Sequence, residues 1–120
     1  MSRQFTLEEA RLLLPSVQEK AEQFVALRAD LTELAAAVET GEPSPLGGTA
    51  EVKALEARVH ELLEWFVGQG LEPKGLAPLL LDFPAQLDGE PVQLCWLEGE
   101  ADLAWYHVPE HGFAGRRRLR

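Results

Sequence analysis

Apolar positions in the first half of the chain recur at alternating spacings of three and four. Ala10, Leu13, Val17, Phe24, Leu27, Leu31, Leu34 and Val38 form a heptad seam, broken at Lys20. Thr6 followed by Glu9 fits a capping box, in which each side chain satisfies a backbone N–H left free in the first helical turn. These signals predict a helix over residues 6–39, a rod of roughly 50 Å at the usual rise per residue. Pro15 lacks a backbone donor, so a kink or local break is expected there, leaving the Leu7 to Leu14 piece free to aim differently. Residues 40–48, TGEPSPLGG, read as a loop. Thr49 then offers a cap, and Val52, Leu55, Val59, Leu62 and Phe66 repeat the three-four spacing until Gly68 and Gly70 end it, giving a second helix over 49–67. The two make a long antiparallel helical hairpin. The second helix spans only about 28 Å, so part of the first seam lacks a partner within the hairpin. Another subunit or the C-terminal part of the chain must cover it, and a homodimer through the helix 1 seam is the partner expected.

From Leu79 the alternation changes to period two. Strand candidates are Leu79 to Phe83, Glu90 to Leu97 and Asp102 to Val108, with Asp88-Gly89 as a two-residue hairpin turn and Glu98 to Ala101 as a four-residue turn. The segment 79–108 therefore reads as a three-stranded antiparallel meander, and 109–120 as a turn and basic tail. In that register Asp82 faces Cys95 and Phe83 faces Leu94, while Trp96 pairs with Leu103 and Leu94 with Trp105. One face then carries Leu81, Phe83, Leu94, Trp96, Trp105 and His107, and the other Asp82, Gln93, Cys95 and Tyr106. Pro84 cannot donate to a ladder, which places the first strand at an edge. The fold class is α+β, a single domain over 1–120.

Composition narrows the function classes. A formal charge of -9 argues against a nucleic-acid groove, which needs clustered cations. The exception is the tail, where Arg116, Arg117, Arg118 and Arg120 form a solvated basic end. No apolar run is long enough to cross a bilayer, and the N-terminus lacks the apolar stretch of an export signal, so a cytoplasmic location is expected. The single cysteine, Cys95, agrees with a reducing compartment. The lack of Asn and Ile and the excess of Arg over Lys point toward a GC-rich or thermophilic source.

The chemically capable side chains crowd between Asp82 and Arg116. His107-Val-Pro-Glu110-His111 spells an inverted zinc-peptidase string, but Pro109 and the following Gly112 oppose the helix that motif needs. A looser metal set would use His107 with Glu100, Glu110 or His111, since Cys95 lies on the opposite face in the expected register. His107 is otherwise a rim residue hydrogen-bonded to a carboxylate, or a general acid or base held by Glu100 or Asp82. Cys95 reads as a buried hydrophobe, and Asp82 as the partner of a turn or of Arg116. Trp96 and Trp105 on one face beside Arg116 make an aromatic wall for an anionic or aromatic ligand. His60 belongs to a solvated helix face. No cofactor signature is present, and no spacing identifies a reaction.

The strings FTLEEARLLLP, LDFP, LCWLEGE, WYH and GFAGR, in that order, resemble the bacterial family known as domain of unknown function 2203 over nearly the whole chain. Tyr106 within WYH and the RRRLR ending depart from its pattern. The resemblance implies no activity; it implies the same fold outline and draws attention to Asp82, Glu100, His107 and Arg116. Two functional readings follow. One is a self-associating helical-hairpin scaffold, and the other is a small-ligand or metal site, with catalysis open, at the sheet end around His107, Glu100, Asp82 and Arg116.

Overall fold

The structure, a computed structural model, describes residues 3–119. Helix α1 spans Leu7–Thr40. The Thr6 hydroxyl accepts from the Glu9 N–H at 3.0 Å and the Glu9 carboxylate accepts from the Thr6 N–H at 2.8 Å, which completes the capping box. The helix passes through Pro15 without interruption. Pro15 is exposed, so the carbonyl its ring deprives of a donor lies on the solvent side, and the expected break does not occur. The buried stripe is Ala10, Leu14, Val17, Ala21, Phe24, Leu27 and Leu34. It runs through Leu14 and Ala21 rather than Leu13 and Lys20, so the seam carries no charged defect. Lys20 sits beside it with its ammonium 5.6 Å from the Trp65 ring centre. Helix α2 spans Thr49–Gly68 and buries Leu62 and Phe66.

Among the described residues five antiparallel strands follow in the order β1 (Glu72–Leu76), β2 (Leu79–Leu87), β3 (Glu90–Leu97), β4 (Trp105–His107) and β5 (Arg117–Arg118). The sequence pattern shows only the middle three. β1 carries no strand pattern, because Pro73 and Gly75 are poor strand formers; the register shift between them lets them sit in an edge strand. β5 comes from the basic tail, with Tyr106 opposite Arg117 and Trp105 opposite Arg118. The tail backbone is thus paired while both Arg side chains stay exposed. Arg120 lies outside the described residues.

Asp88 and Gly89 have φ of 52° and 80°, the left-handed pair that a tight hairpin turn demands, and Asp82 faces Cys95 as the pattern requires. β2 is interior rather than an edge. Its Pro84 carbonyl accepts from the Phe5 N–H at 2.7 Å, so the proline nitrogen points toward that side, beyond the end of β1, and no bond to β3 is lost.

The β3–β4 connection departs most from expectation. It covers residues 98–104, and β4 pairs Gln93 with His107, Leu94 with Tyr106 and Cys95 with Trp105. This is one residue out from the expected register, which transfers every β4 side chain to the other face. Tyr106 packs toward the helices, while Trp105 and His107 join Asp82, Gln93 and Cys95 on the outer face.

One core joins Phe5, the first two-thirds of the α1 stripe, Phe66 of α2, and Leu79, Leu81, Phe83, Leu94 and Trp96 of the sheet. The length of α1 that α2 does not match is therefore covered by the chain's own sheet. No helix among the described residues is long and apolar enough to cross a membrane.

Candidate functional site

The outer face of β2, β3 and β4 brings Asp82, Cys95 and His107 together. Cross-strand neighbours on one face lie about 5 Å apart at Cβ, and here the convergence is closer at the tips. A ligand-type atom of each residue lies within 4.8 Å of those of the other two. Asp82 is 1% exposed, His107 3% and Cys95 0%.

His107 Nδ1 stands 2.9 Å from the Val108 carbonyl oxygen, and Nε2 stands 3.0 Å from Asp82 Oδ2. A carbonyl can only accept, so Nδ1 carries a hydrogen. Nε2 then either donates to a carboxylate or receives from a carboxylic acid. A single proton between Nε2 and Oδ2 satisfies both atoms of that contact. Burial raises the Asp82 carboxyl above its ordinary value, against the opposing pull of His107. Burial, reinforced by the charge of Asp82, pushes the Cys95 thiol up to about 12, so it is protonated at neutral pH. Asp82 Oδ1 and the nearby Gln93 Oε1 are both buried and lack a hydrogen-bond partner. Beside them is a cavity of about 280 Å³ lined by Lys74, Leu80, Asp82, Gln93, His107 and Phe113.

Glu100 and Arg116 form a second pair. The Arg116 guanidinium donates to the Glu100 carboxylate and to the Cys95 carbonyl, and it stacks 5.1 Å from the Trp105 ring centre and 4.8 Å from that of Phe113. Burial works against its charge, but the hydrogen bond and charge of Glu100 hold it above its ordinary value. Glu100 also accepts from the Leu97 N–H at 2.7 Å, and its carbonyl accepts from the Trp96 indole at 2.9 Å. This pair organises the 98–104 connection.

Residues 3–119 match the model of DUF2203, described as an uncharacterised conserved protein. The chain belongs to the DUF2203 family. No curated protein and no solved structure matches it. In this DUF2203 protein the four residues singled out by sequence fall into two separate pairs: Asp82 binds His107, not Arg116, and Glu100 binds Arg116, not His107. His107 is buried rather than at a rim. Glu110 and His111 are exposed on a turn away from the metal-type cluster, and the His107 to His111 string is not helical. Trp96 is core, facing the helices, and Trp105 lies on the other face, so they do not form one aromatic wall. Phe113 is 44% exposed and lies outside the core. Cys95 is buried on the same face as His107 rather than opposite it, and Gln93 joins them; the alternation of both with Leu94 is the signal that sets them on the face of Asp82.

A larger concavity, about 620 Å³, lies between α1 and the 98–104 connection against Trp96. Two of its carboxylates, Glu98 and Glu100, are already held by Arg28 and Arg116. Of the two, the smaller cavity on the outer sheet face is the one lined by Asp82 and Gln93, whose partnerless buried oxygens it adjoins.

Proposed function

We propose that this protein binds a small polar molecule on the outer face of its sheet, in the cavity floored by Asp82 and His107. The observation that carries the reading is the pair of buried, partnerless acceptors, Asp82 Oδ1 and Gln93 Oε1, next to a buried carboxylate–imidazole pair. Each unpaired buried acceptor costs about 1–3 kcal/mol. A ligand that donates hydrogen bonds to both would offset that cost and be selected for it. Lys74 lines the wall with its ammonium 3.2 Å from the Glu72 carboxylate, an exposed pair from which it could turn toward an anionic group on the same molecule. The shared proton of the Asp82–His107 pair suits it to donate or accept a proton at a bound polar group, which leaves room for catalysis.

The test is a thermal-shift screen with small amines, amides, amino acids and sugars, repeated on Gln93→Leu. Stabilisation by a donor-bearing compound that is lost in the variant supports the reading. Absence of any stabilising compound, or the same response in Gln93→Leu, refutes it. Self-association through α1 draws less support, because most of the apolar stripe that suggested it is occupied inside the chain.

A further inference from the structure

We propose that Asp82, Cys95 and His107 are the ligands of a single divalent transition-metal ion, with zinc the best match to the donor set. The inference rests on the reading of the outer sheet face as a ligand site and names one occupant of it.

Four observations converge. First, one carboxylate oxygen, one thiol sulfur and one imidazole nitrogen come from three adjacent strands and lie within 4.8 Å of one another. Bond lengths near 2.0–2.3 Å place the donor atoms of a tetrahedral zinc ion roughly 3.4–3.6 Å apart. Adjustments of about 1 Å at the side-chain tips therefore close the set on an ion. Second, His107 Nδ1 is committed to the Val108 carbonyl at 2.9 Å. That is the outer contact that turns Nε2 into a metal donor and fixes the ring plane. Third, in this tautomer Nε2 presents its lone pair to Asp82 Oδ2 at 3.0 Å, so two acceptors confront each other and a cation must lie between them. A proton fills that place in the metal-free protein; a metal ion fills it when bound. Fourth, Asp82 Oδ1 has no partner although Asp82 is 1% exposed, which leaves the carboxylate capacity for a further bond.

The mixed sulfur, nitrogen and oxygen set selects a transition ion over magnesium or calcium, which take oxygen ligands. The carboxylate and a thiolate would together neutralise the double charge. Three protein ligands leave a fourth position, and Asp82 and His107 both line the cavity of about 280 Å³ from which water or a small polar molecule would reach it.

The experiment is a titration of the full chain, stripped with a chelator, with cobalt(II). The expected result is one cobalt per chain, a thiolate-to-cobalt charge-transfer band in the near ultraviolet, strong visible bands of a four-coordinate ion, and displacement by zinc. Cys95→Ser should remove the charge-transfer band and weaken binding by more than about 100-fold, beyond what loss of an outer hydrogen bond costs. A His60→Gln, His111→Gln double variant removes the exposed imidazoles and should change nothing. No saturable binding at millimolar cobalt, a spectrum unaltered in Cys95→Ser, or a signal lost with the exposed histidines would overturn the proposal. Circular dichroism confirms that each variant is folded. Gln93→Leu separates the two readings. It should abolish the small-molecule response and keep the cobalt spectrum, whereas small-molecule binding by a chain that takes no cobalt would remove the metal and leave the cavity reading intact.

Discussion

Replacing His107 with Leu should be among the most destabilising single changes in the protein, and the reason lies in what it leaves behind. Asp82 is 1% exposed, and Oδ2 has His107 as its hydrogen-bond partner while Oδ1 has none. Without the imidazole a carboxylate is stranded in a nearly dry site, a situation that costs about 3–5 kcal/mol. Asp82→Leu is milder. It leaves a neutral imidazole with one unpaired nitrogen and a surviving bond to Val108, for about 1–3 kcal/mol. The double variant removes both polar groups and fills the space with apolar atoms, which is often neutral or better. The two single costs therefore sum to roughly 4–8 kcal/mol, while the double variant should lose no more than about 2 kcal/mol.

Urea denaturation of the four proteins, followed by tryptophan fluorescence in chelator, measures this cycle. An unchanged denaturant slope would show that the native and unfolded states are comparable. The pH dependence adds a sign. Burial already raises the Asp82 carboxyl, and in His107→Leu the opposing pull is gone. A carboxyl raised in the folded state contributes stability that is full below its unfolded value near ~3.9 and is lost as pH rises through the folded value. The deficit of His107→Leu should thus grow from pH 4 upward. Additive single costs, to within about 0.5 kcal/mol, would refute the coupling, and a deficit independent of pH would refute the stranded carboxylate.

Further outcomes follow from other parts of the molecule. Arg28 makes two parallel bonds to Glu98, at 2.7 and 2.9 Å, and Glu98 also accepts from the Leu79 N–H at 2.8 Å. Glu98→Gln should cost about 1–2 kcal/mol in chemical denaturation. Arg28 holds the Glu98 carboxyl below its ordinary value, so this contribution is present above the unfolded value near ~4.3 and fades as pH falls through the lower folded value; the variant should lose that acid dependence. Pro15→Ala restores a donor within α1 on an exposed face, and should raise stability by about 1–2 kcal/mol after allowing for the freer unfolded chain. Cys95, fully buried with its thiol near 12, should resist a disulfide reagent in the native protein and react at once in denaturant; rapid native reaction would contradict the burial.

Elements with a clean local signal were legible in the sequence: the capping box at Thr6, the three-four stripe of α1 and α2, and the Asp88-Gly89 turn that fixes β2 against β3. Those features depend on neighbours a few residues away. β1 and β5 were not legible, because Pro73, Gly75 and consecutive arginines carry no strand pattern and pair only because β2 and β4 present free edges to them. The Lys20 defect vanishes when the seam shifts by one position, since Leu13 and Leu14 are both apolar and the spacing alone does not choose between them. Likewise Asp82, His107 and Arg116 stand out in the sequence as residue types, but their partners depend on contacts far along the chain.

The register of β4 shows why the site in particular escaped a reading by alternation. Strand period fixes which residues share a face along one strand, but the offset between strands is set by the connection. Here that connection is held by Glu100, which bonds Leu97 and Trp96 behind it, and by Arg116, which ties Glu100 to the Cys95 carbonyl. These bonds draw residues 98–104 out of the ladder, and Leu103, expected opposite Trp96, is buried outside any strand. β4 therefore begins at Trp105 and enters one residue late, which is what turns His107 from the core face to the side where Asp82 and Cys95 stand. The Glu100–Arg116 pair thus positions the Asp82–His107 pair without touching it. A short strand of three residues has too few ladder bonds to choose its own offset, so the ion pair outside the sheet determines which chemistry the sheet displays.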